Sequence, residues 1–148
     1  MDVAYLADCV EAIPQLAAWF RAEWSDEIGG DAESGFHRCT NRTEIPIGLV
    51  AVDGGSPIGT VQLLSTSVDS HSHLEPWIGG LYVEPQWRHR GVASRLIDAA
   101  LETAGSIGVT RVYIGVTAAR DFYERSGWRY LEDGNAHGET VMIFSKHI

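Results

Sequence analysis

The sequence predicts an α/β domain with a mixed central sheet of about six to seven strands flanked by about four helices. Two observations support this fold class. Short apolar runs that are typical of strands alternate with stretches whose apolar residues recur at helical spacing. In chain order the elements are a strand, helices, three strands, a helix, a strand, a helix and two strands. The 148 residues, 45% of them hydrophobic, are typical of one globular domain, expected to span residues 1–148.

A short strand and two helices open the chain. Residues 3–6 form an apolar strand-like run, and Asp8 followed by Glu11 has the spacing of a helix-capping box. The apolar stripe of the first helix comprises Ile13, Leu16, Ala17, Phe20 and Trp24. Gly29-Gly30 is expected to end this helix. Residues 32–42 are expected to form a second, short polar helix.

Three strand-like runs follow. Residues 47–52 and 57–64 flank the turn Asp53-Gly54-Gly55-Ser56, whose composition is typical of hairpins, so the two strands are expected to pair antiparallel. After a polar loop, residues 77–83 form the third strand. Its Gly79-Gly80 pair predicts a bulge or a close approach of a ligand to the backbone.

The C-terminal part alternates again. The long amphipathic helix covers residues 91–107, and its apolar face comprises Val92, Leu96, Ile97, Ala100, Leu101 and Ala104. The remaining elements are a strand over residues 111–116, a short helix over 118–126, and strands over 128–132 and 140–145.

Charge and composition exclude several classes of partner. The chain has 11 Lys+Arg against 20 Asp+Glu, a formal net charge of −9, whereas nucleic-acid binding requires a broad basic face. No stretch approaches the ~20 apolar residues that span a bilayer, and the acidic start lacks the features of a signal peptide. We therefore expect a cytoplasmic protein without nucleic-acid or membrane partners. Cys9 and Cys39 lack metal-site spacing and are expected to be reduced thiols.

The most informative segment lies between the predicted strand over residues 77–83 and the long helix over residues 91–107. It carries Arg88, Arg90 and Gly91 just before the helix begins. Amides at a helix start lack partners and lie at the positive end of the helix dipole, so this loop can bind a diphosphate. Gly91 allows the backbone to approach an anion closely, and Ala93 adds little bulk. The alternative is that both arginines belong to an ordinary solvated loop.

Two motifs resemble those of the GNAT superfamily of N-acetyltransferases. Arg88-His89-Arg90-Gly91-Val92-Ala93 resembles the family's Q/R-x-x-G-x-G/A motif, and Phe122-Tyr123-Glu124-Arg125-Ser126-Gly127-Trp128 resembles its lYeklGF segment. The resemblance implies the GNAT fold and direct transfer, in a ternary complex, of the acetyl group of acetyl-coenzyme A to a primary amine of a small molecule or protein. It implies no metal, and it allows a homodimer because relatives often associate through late strands.

The resemblance also implies where the coenzyme binds. The pantetheine arm is expected beside a splayed strand that contains Leu81 and Val83, and the diphosphate on the amides of residues 88–94. Many relatives have an asparagine at the pantetheine region where this chain has Thr117, whose hydroxyl has a shorter reach. The coenzyme-binding residues so implied are Leu81, Tyr82, Val83, Arg88, His89, Arg90, Gly91, Val92, Ala93, Ser94 and Thr117.

Tyr123 and Glu75 are the candidate catalytic residues. Tyr123 matches the tyrosine that acts as general acid toward the departing thiolate in many relatives, and the alternative is a ring that only packs against the coenzyme arm. Glu75 precedes the strand on or near which many relatives carry a carboxylate base. The alternatives are a base that acts through water and a solvated loop acid.

The polar loop before residue 77 offers other interpretations. Four residues of this loop lie close together in sequence, namely Asp69, His71, His73 and Glu75. The pattern lacks the second pair of ligands typical of zinc, so we expect an acceptor-binding loop and no metal. The alternative function for the chain is a catalytically weak acyl-coenzyme A-binding sensor or interaction module. A nucleoside-triphosphate enzyme is excluded because the anion-binding loop lacks the Gly-x-x-x-x-Gly-Lys-Ser/Thr pattern. Residues 13–44 and 65–76 are expected to select the acceptor.

Overall fold

A mixed sheet of seven strands forms the centre of the computed structural model, which describes residues 1–29 and 31–148 and, for residues 25–29, the backbone alone. The strands are β1 (Asp2–Tyr5), β2 (Ile47–Asp53), β3 (Ser56–Leu64), β4 (Trp77–Val83), β5 (Arg111–Val116), β6 (Arg129–Ala136) and β7 (Glu139–His147). They lie in the order β1-β2-β3-β4-β5-β7-β6. Neighbouring strands pair antiparallel except β4 and β5, which are parallel. The predicted mixed sheet is confirmed.

Four α-helices accompany the sheet in the described part of the chain. They are α1 (Ile13–Gly29), α2 (Ala32–Arg38), α3 (Val92–Ser106) and α4 (Arg120–Arg125). The side chain of Asp31 caps α2, because its carboxylate accepts a hydrogen bond from the Ser34 N–H at 3.3 Å. The Gly30 part of the predicted end of α1 lies outside the described residues.

Two predicted helix ends differ from the structure. The proposed capping box of Asp8 and Glu11 does not form, because two short 3-10 turns precede α1 and neither has a side-chain cap. The Asp8 carboxylate instead forms an ion pair with Arg42. Helix α2 ends at Arg38, short of the predicted residue 42. The Asn41 side chain donates to the Arg38 carbonyl oxygen at 2.9 Å, and such local bonds compete with helical ones.

Apolar side chains on both faces of the sheet hold the helices in two layers. Leu49 and Ala51 of β2 pack with α3, whereas Val50 between them packs with α1 and α2. The buried stripe of α3 comprises Val92, Leu96, Ile97, Ala100 and Ala104. The predicted apolar face of α3 is therefore confirmed, except that Leu101 is only partly buried. Full burial of a side chain such as Leu96 contributes about 2 kcal/mol to folding.

Strand β4 contains a bulge. In its pairing with β3, Gln62 lies opposite Gly79 and Thr60 lies opposite Tyr82, so β4 has one more residue than β3 across this interval. Gly80 lies in the bulge with φ of 58°, a value that favours glycine. The bulge predicted from the glycine pair is confirmed.

Strands β4 and β5 separate after a short contact. They pair only at Trp77–Tyr113 and Ile78–Ile114 among the described residues. Beyond these two positions, residues 79–83 of β4 have no register with β5. The sheet is therefore open along the carboxyl half of β4, and the bulge lies at the start of this opening.

The described residues contain neither a membrane-spanning helix nor a disulfide. None of their helices is long and apolar enough to cross a membrane. Neither cysteine forms a disulfide, and Cys39 is buried whereas Cys9 is half-buried.

Candidate active site

The opening between β4 and β5 leaves backbone groups of β4 without a strand partner. The Glu84 N–H donates to the Ile58 carbonyl oxygen at 2.9 Å, so the backbone groups of Val83, one residue earlier, point away from β3 and into the opening. Leu81 follows the bulge glycine and is half-buried at the same edge. An extended chain that contains amides can pair along such an edge as an added strand. The structure therefore brings Leu81 and Val83 to one open edge.

Tyr82 differs from these two neighbours. Its backbone faces β3, because it pairs with Thr60 in the β3–β4 ladder. Its ring stacks on Trp19 of α1, with ring centroids 5.2 Å apart. The expectation that Tyr82 binds the coenzyme is not supported by this placement, since its side chain belongs to the contact between β4 and α1.

The loop before α3 exposes unpaired amides. Gly91 is the N-cap of α3 with φ of 83°, and His89 also has a positive φ, 62°. The cap has no side-chain hydrogen bond, so the first-turn amides of Val92, Ala93 and Ser94 are free to bind an anion. No described atom lies within 4 Å of where a Cβ on Gly91 would stand. This loop is an open site at the positive end of the α3 dipole.

Two guanidinium groups flank the loop. The Arg88 Nε donates to the Val83 carbonyl oxygen at 2.8 Å, and its Cζ lies 5.4 Å from the centre of the Tyr82 ring. The Arg90 Cζ lies 5.1 Å from the centre of the Trp87 ring. Both arginines are largely exposed, so their charges are held beside the loop without being buried. The loop and the β4 edge are thereby linked through Arg88.

Tyr123 lies in α4, which follows β5 along the chain. Only 6% of it is exposed, and its ring packs against Phe122, Trp128 and Phe144 at centroid distances of 5.1, 6.1 and 5.6 Å. Burial raises the pKa of the Tyr123 phenol above its ordinary value. The phenol therefore stays protonated at neutral pH, as a proton donor must.

A cleft on the other side of the bulge has a volume of about 550 Å³. We name it the aromatic cleft after Phe20, Trp24 and Phe36, which lie along its wall on α1 and α2. Its floor includes Gln62 of β3 and Gly80 of the bulge. Because Gly80 also begins the opening between β4 and β5, the cleft and the opening meet at this glycine.

The same chain matches a known family. The model of the acetyltransferase (GNAT) family matches residues 13–128. The chain belongs to the GNAT family of acetyltransferases. The predicted family and enzyme class are confirmed. A search of curated protein sequences gives no match.

Solved structures of other GNAT proteins have the same fold. An aminoglycoside 6'-N-acetyltransferase complexed with coenzyme A is similar with 17% identity and a TM-score of 0.75, covering 99% of this chain and 97% of that chain. A ribosomal-protein-alanine N-acetyltransferase from Brucella melitensis is similar with 16% identity and a TM-score of 0.71, and both chains are covered to 100%. A putative N-acetyltransferase from Lactobacillus plantarum has 22% identity and a TM-score of 0.69, with 99% and 97% covered. At these identities the likeness establishes the fold alone.

Thr117 and Glu75, two other predicted site residues of this GNAT protein, lie at opposite ends of the β4–β5 pair. Thr117 is exposed in the turn that directly follows β5, at the open end of the β4–β5 pair. Glu75 lies before β4, in a separate cleft whose other lining residues include Gly108 and Arg111. From Trp77 to Val83, β4 spans about 20 Å, so Glu75 stands at the closed end of the pair. The role of Glu75 as the base stays a prediction.

The polar loop before β4 is fastened to the hairpin of β6 and β7. The Asn135 N–H donates to the Ser70 Oγ at 2.8 Å, and the His137 N–H donates to the Asp69 Oδ2 at 3.1 Å. The His71 Nε2 lies 3.4 Å from a carboxylate oxygen of Glu132. These residues fix one rim of the aromatic cleft in the GNAT protein. Among the described residues, no group of three or more His, Cys, Asp or Glu side chains is arranged to hold a metal.

Several residues that line the cleft could not be identified from the sequence. Gln62, Gly115 and His137 line it, although they belong to three different strands or turns. Only Gln62 carried a signal, because a polar residue inside an otherwise apolar strand is unusual unless it contacts something specific.

Proposed function

We propose that this GNAT protein transfers the acetyl group of acetyl-coenzyme A to a primary amine, by direct attack in a ternary complex. The observation that carries the proposal is the arrangement of three features along β4: its open edge, the anion-binding start of α3 beside its carboxyl end at Val83, and the aromatic cleft at its bulge. Bound acetyl-coenzyme A supplies the acetyl group as a thioester. Helix α3 packs on one face of the sheet, and the α1 and α2 wall of the cleft packs on the other, which suits a donor and an acceptor that approach from different sides.

The residues present fit coenzyme A. Free amides at the start of α3 match a diphosphate, and the open space around Gly91 admits it without a clash. The Val83 backbone groups that point into the opening match the amides of a pantetheine arm. Arg88 donates to the Val83 carbonyl oxygen at 2.8 Å, so one of these groups is engaged by the protein itself. Arg88 would move for an arm amide to bond there.

Tyr123 is proposed to protonate the departing thiolate. An ordinary phenol has a pKa of about 10 and a thiol about 8.5, so the transfer is slightly uphill, and it requires a desolvated, positioned pair. Packing against Trp128 and Phe144 supports this role, since it shields the Tyr123 ring from water and fixes its position. The same burial raises the pKa of Tyr123, which keeps the proton in place and limits the gain in rate.

The deciding experiment measures coenzyme A release with a thiol-reactive dye, using acetyl-coenzyme A and a panel of primary amines. We expect amine-dependent release, and we expect Tyr123→Phe to lower turnover by about 10- to 100-fold, at the low end for general acids. Calorimetry should show the same coenzyme affinity for both proteins.

Two outcomes would contradict the proposal in different ways. Unchanged turnover in Tyr123→Phe would reduce Tyr123 to a packing residue. The other outcome is a parent protein that binds the coenzyme tightly and releases no coenzyme A with any amine. That result would favour the acyl-coenzyme A-binding sensor.

A further inference from the structure

The wall of the aromatic cleft is continuous with a larger group of rings. Phe20 contacts Trp24 and Phe36, with centroids 4.8 and 4.6 Å apart. Trp24 also lies edge-on to Tyr82 at 6.3 Å. Phe36 is fully buried, whereas Phe20 and Trp24 are only partly buried and line the cleft. The cleft therefore offers two aromatic surfaces that are fixed from behind by other rings.

The charges that line the cleft nearly balance. Among the described lining residues, Arg38 is the basic side chain and Asp69 the acidic one. The Asp69 carboxylate already accepts the His137 N–H. The chain as a whole has a net charge of −9, whereas the described lining residues of the cleft carry one carboxylate and one guanidinium group. A ligand with several ammonium groups needs several carboxylates, and the described wall provides one.

The floor of the cleft is polar at one place. Gln62 is 9% exposed, and its Oε1 lies 2.6 Å from the position that a Cβ on Gly80 would take. The Gln62 amide therefore lies directly over the bulge. An amide oxygen can accept a hydrogen bond from an amine and carries no charge. The cleft thus combines a neutral polar floor at the β4 opening with aromatic walls further out.

From this arrangement we infer that the acceptor is a primary amine carried on an aromatic body. The amine reaches Gln62 at the floor, and the aromatic body lies against Phe20 and Trp24. The inference rests on the proposed acetyl transfer and narrows its acceptor. The inference distinguishes this protein from the aminoglycoside acetyltransferase that it resembles in fold, because the described lining residues offer a polycationic ligand aromatic walls and one carboxylate that is already engaged.

The first test compares four amines as acceptors. Tryptamine and 2-phenylethylamine represent the proposed class, and kanamycin and spermidine represent polycations. We expect kcat/KM at least tenfold higher for the two aromatic amines. A higher kcat/KM for kanamycin or spermidine would overturn the inference while leaving acetyl transfer intact.

The second test uses variants. Trp24→Leu is expected to raise the KM for tryptamine by about tenfold, the size of a lost aromatic contact, with kcat and coenzyme affinity little changed. Phe20→Leu should act in the same direction. Leu131→Ala is the control, because Leu131 is 42% exposed on β6 and does not line the cleft. Unchanged KM in both cleft variants would overturn the inference.

A third measurement does not depend on turnover. Tryptamine is titrated calorimetrically into the coenzyme A-saturated parent protein and into Trp24→Leu. We expect tryptamine to bind the parent protein and to bind Trp24→Leu more weakly. If no amine releases coenzyme A but tryptamine binds in this way, acetyl transfer fails and the site assignment stands. If tryptamine does not bind and is not acetylated, the inference is overturned.

Discussion

Gly80 is the residue at which the two halves of the site meet. A Cβ at this position would lie 2.6 Å from the Gln62 Oε1 and 3.1 Å from the Phe20 Cζ, and φ is already 58°. A methyl group there would displace the floor and the wall of the cleft together. The glycine is therefore required by the close approach of two side chains as well as by its backbone conformation.

Gly80→Ala separates these two requirements when it is compared with Gly54→Ala. Gly54 has φ of 59°, but no described atom lies within 4 Å of its Cβ position. We expect Gly80→Ala to lower the free energy of unfolding by about 1–3 kcal/mol more than Gly54→Ala, as overpacking does. Urea unfolding of both variants measures the difference. Equal losses would mean that the backbone conformation alone requires the glycine.

Cys39 allows a prediction about pH. Burial raises the pKa of its thiol to about 11. At pH 8 only about one Cys39 thiol in a thousand is ionised, so iodoacetamide should label it at least 100-fold more slowly than glutathione. Mass spectrometry of the native protein, with a urea-unfolded sample as control, measures the labelling. Labelling of native Cys39 at the glutathione rate would contradict the placement.

The same shift in pKa affects stability. The thiol of the unfolded chain loses its proton near its ordinary pKa of about 8.5, whereas the folded protein keeps it up to about 11. The unfolded state binds fewer protons in this interval, so the stability contributed by Cys39 is complete below about pH 8.5 and is lost as the pH rises toward 11. The Cys39→Ala variant should therefore lose less stability than the parent protein as the pH rises from about 8.5 toward 11.

At the scale of elements, the start of α3 is the feature most open to test. Gly91→Asp and Gly91→Asn place side chains of nearly equal size at a left-handed position with free space around it. Asparagine and aspartate both tolerate this conformation, so the pair differs mainly in charge. We expect Gly91→Asp to weaken coenzyme A binding by at least tenfold more than Gly91→Asn, because its carboxylate repels the diphosphate. Calorimetry at low and high salt measures the effect, and equal affinities would contradict a diphosphate at this loop.

The elements that could be predicted are those whose own residues show the apolar spacing of a helix or strand, or the composition of a turn. Helix α3 and the β2–β3 hairpin were predicted because apolar spacing and turn residues are local properties. Strand β6 was predicted to end at residue 132 but extends to Ala136. Its polar, glycine-containing end has little intrinsic strand preference, and it becomes a strand because it pairs with β7.

At the scale of the whole molecule, the coenzyme is expected to complete the sheet. A ligand at 100 times its dissociation constant stabilises the folded state by about 2.7 kcal/mol. For a chain of this size we therefore expect coenzyme A to raise Tm by about 5–10 °C. Pantetheine, which has no diphosphate, is the control and should give a smaller shift. No rise at saturating coenzyme A would contradict binding in the opening.

The site was predicted only as far as its motifs are continuous in sequence. The anion-binding loop and Tyr123 belong to two local motifs, so both could be proposed from the sequence, and their roles stay predictions. The aromatic cleft draws on α1, α2, five strands and the loops between them, and nothing in the sequence indicates that Gln62 and Trp24 line the same cleft. The sequence also did not reveal that Glu75 lies at the closed end of the β4–β5 pair, because proximity to β4 in sequence does not show which end of β4 a residue occupies.

The short contact between β4 and β5 also divides the sheet mechanically. A leaf of four strands and a leaf of three share backbone pairing at two register positions, both at one end of the join. The join therefore has a closed end and a free end, and the two leaves are otherwise held together by the apolar core that they share with α3. A chain-like ligand laid into the free end would extend the backbone pairing from one leaf to the other. The coenzyme would then act as a removable strand of the sheet, and its departure after each turnover would reopen the join.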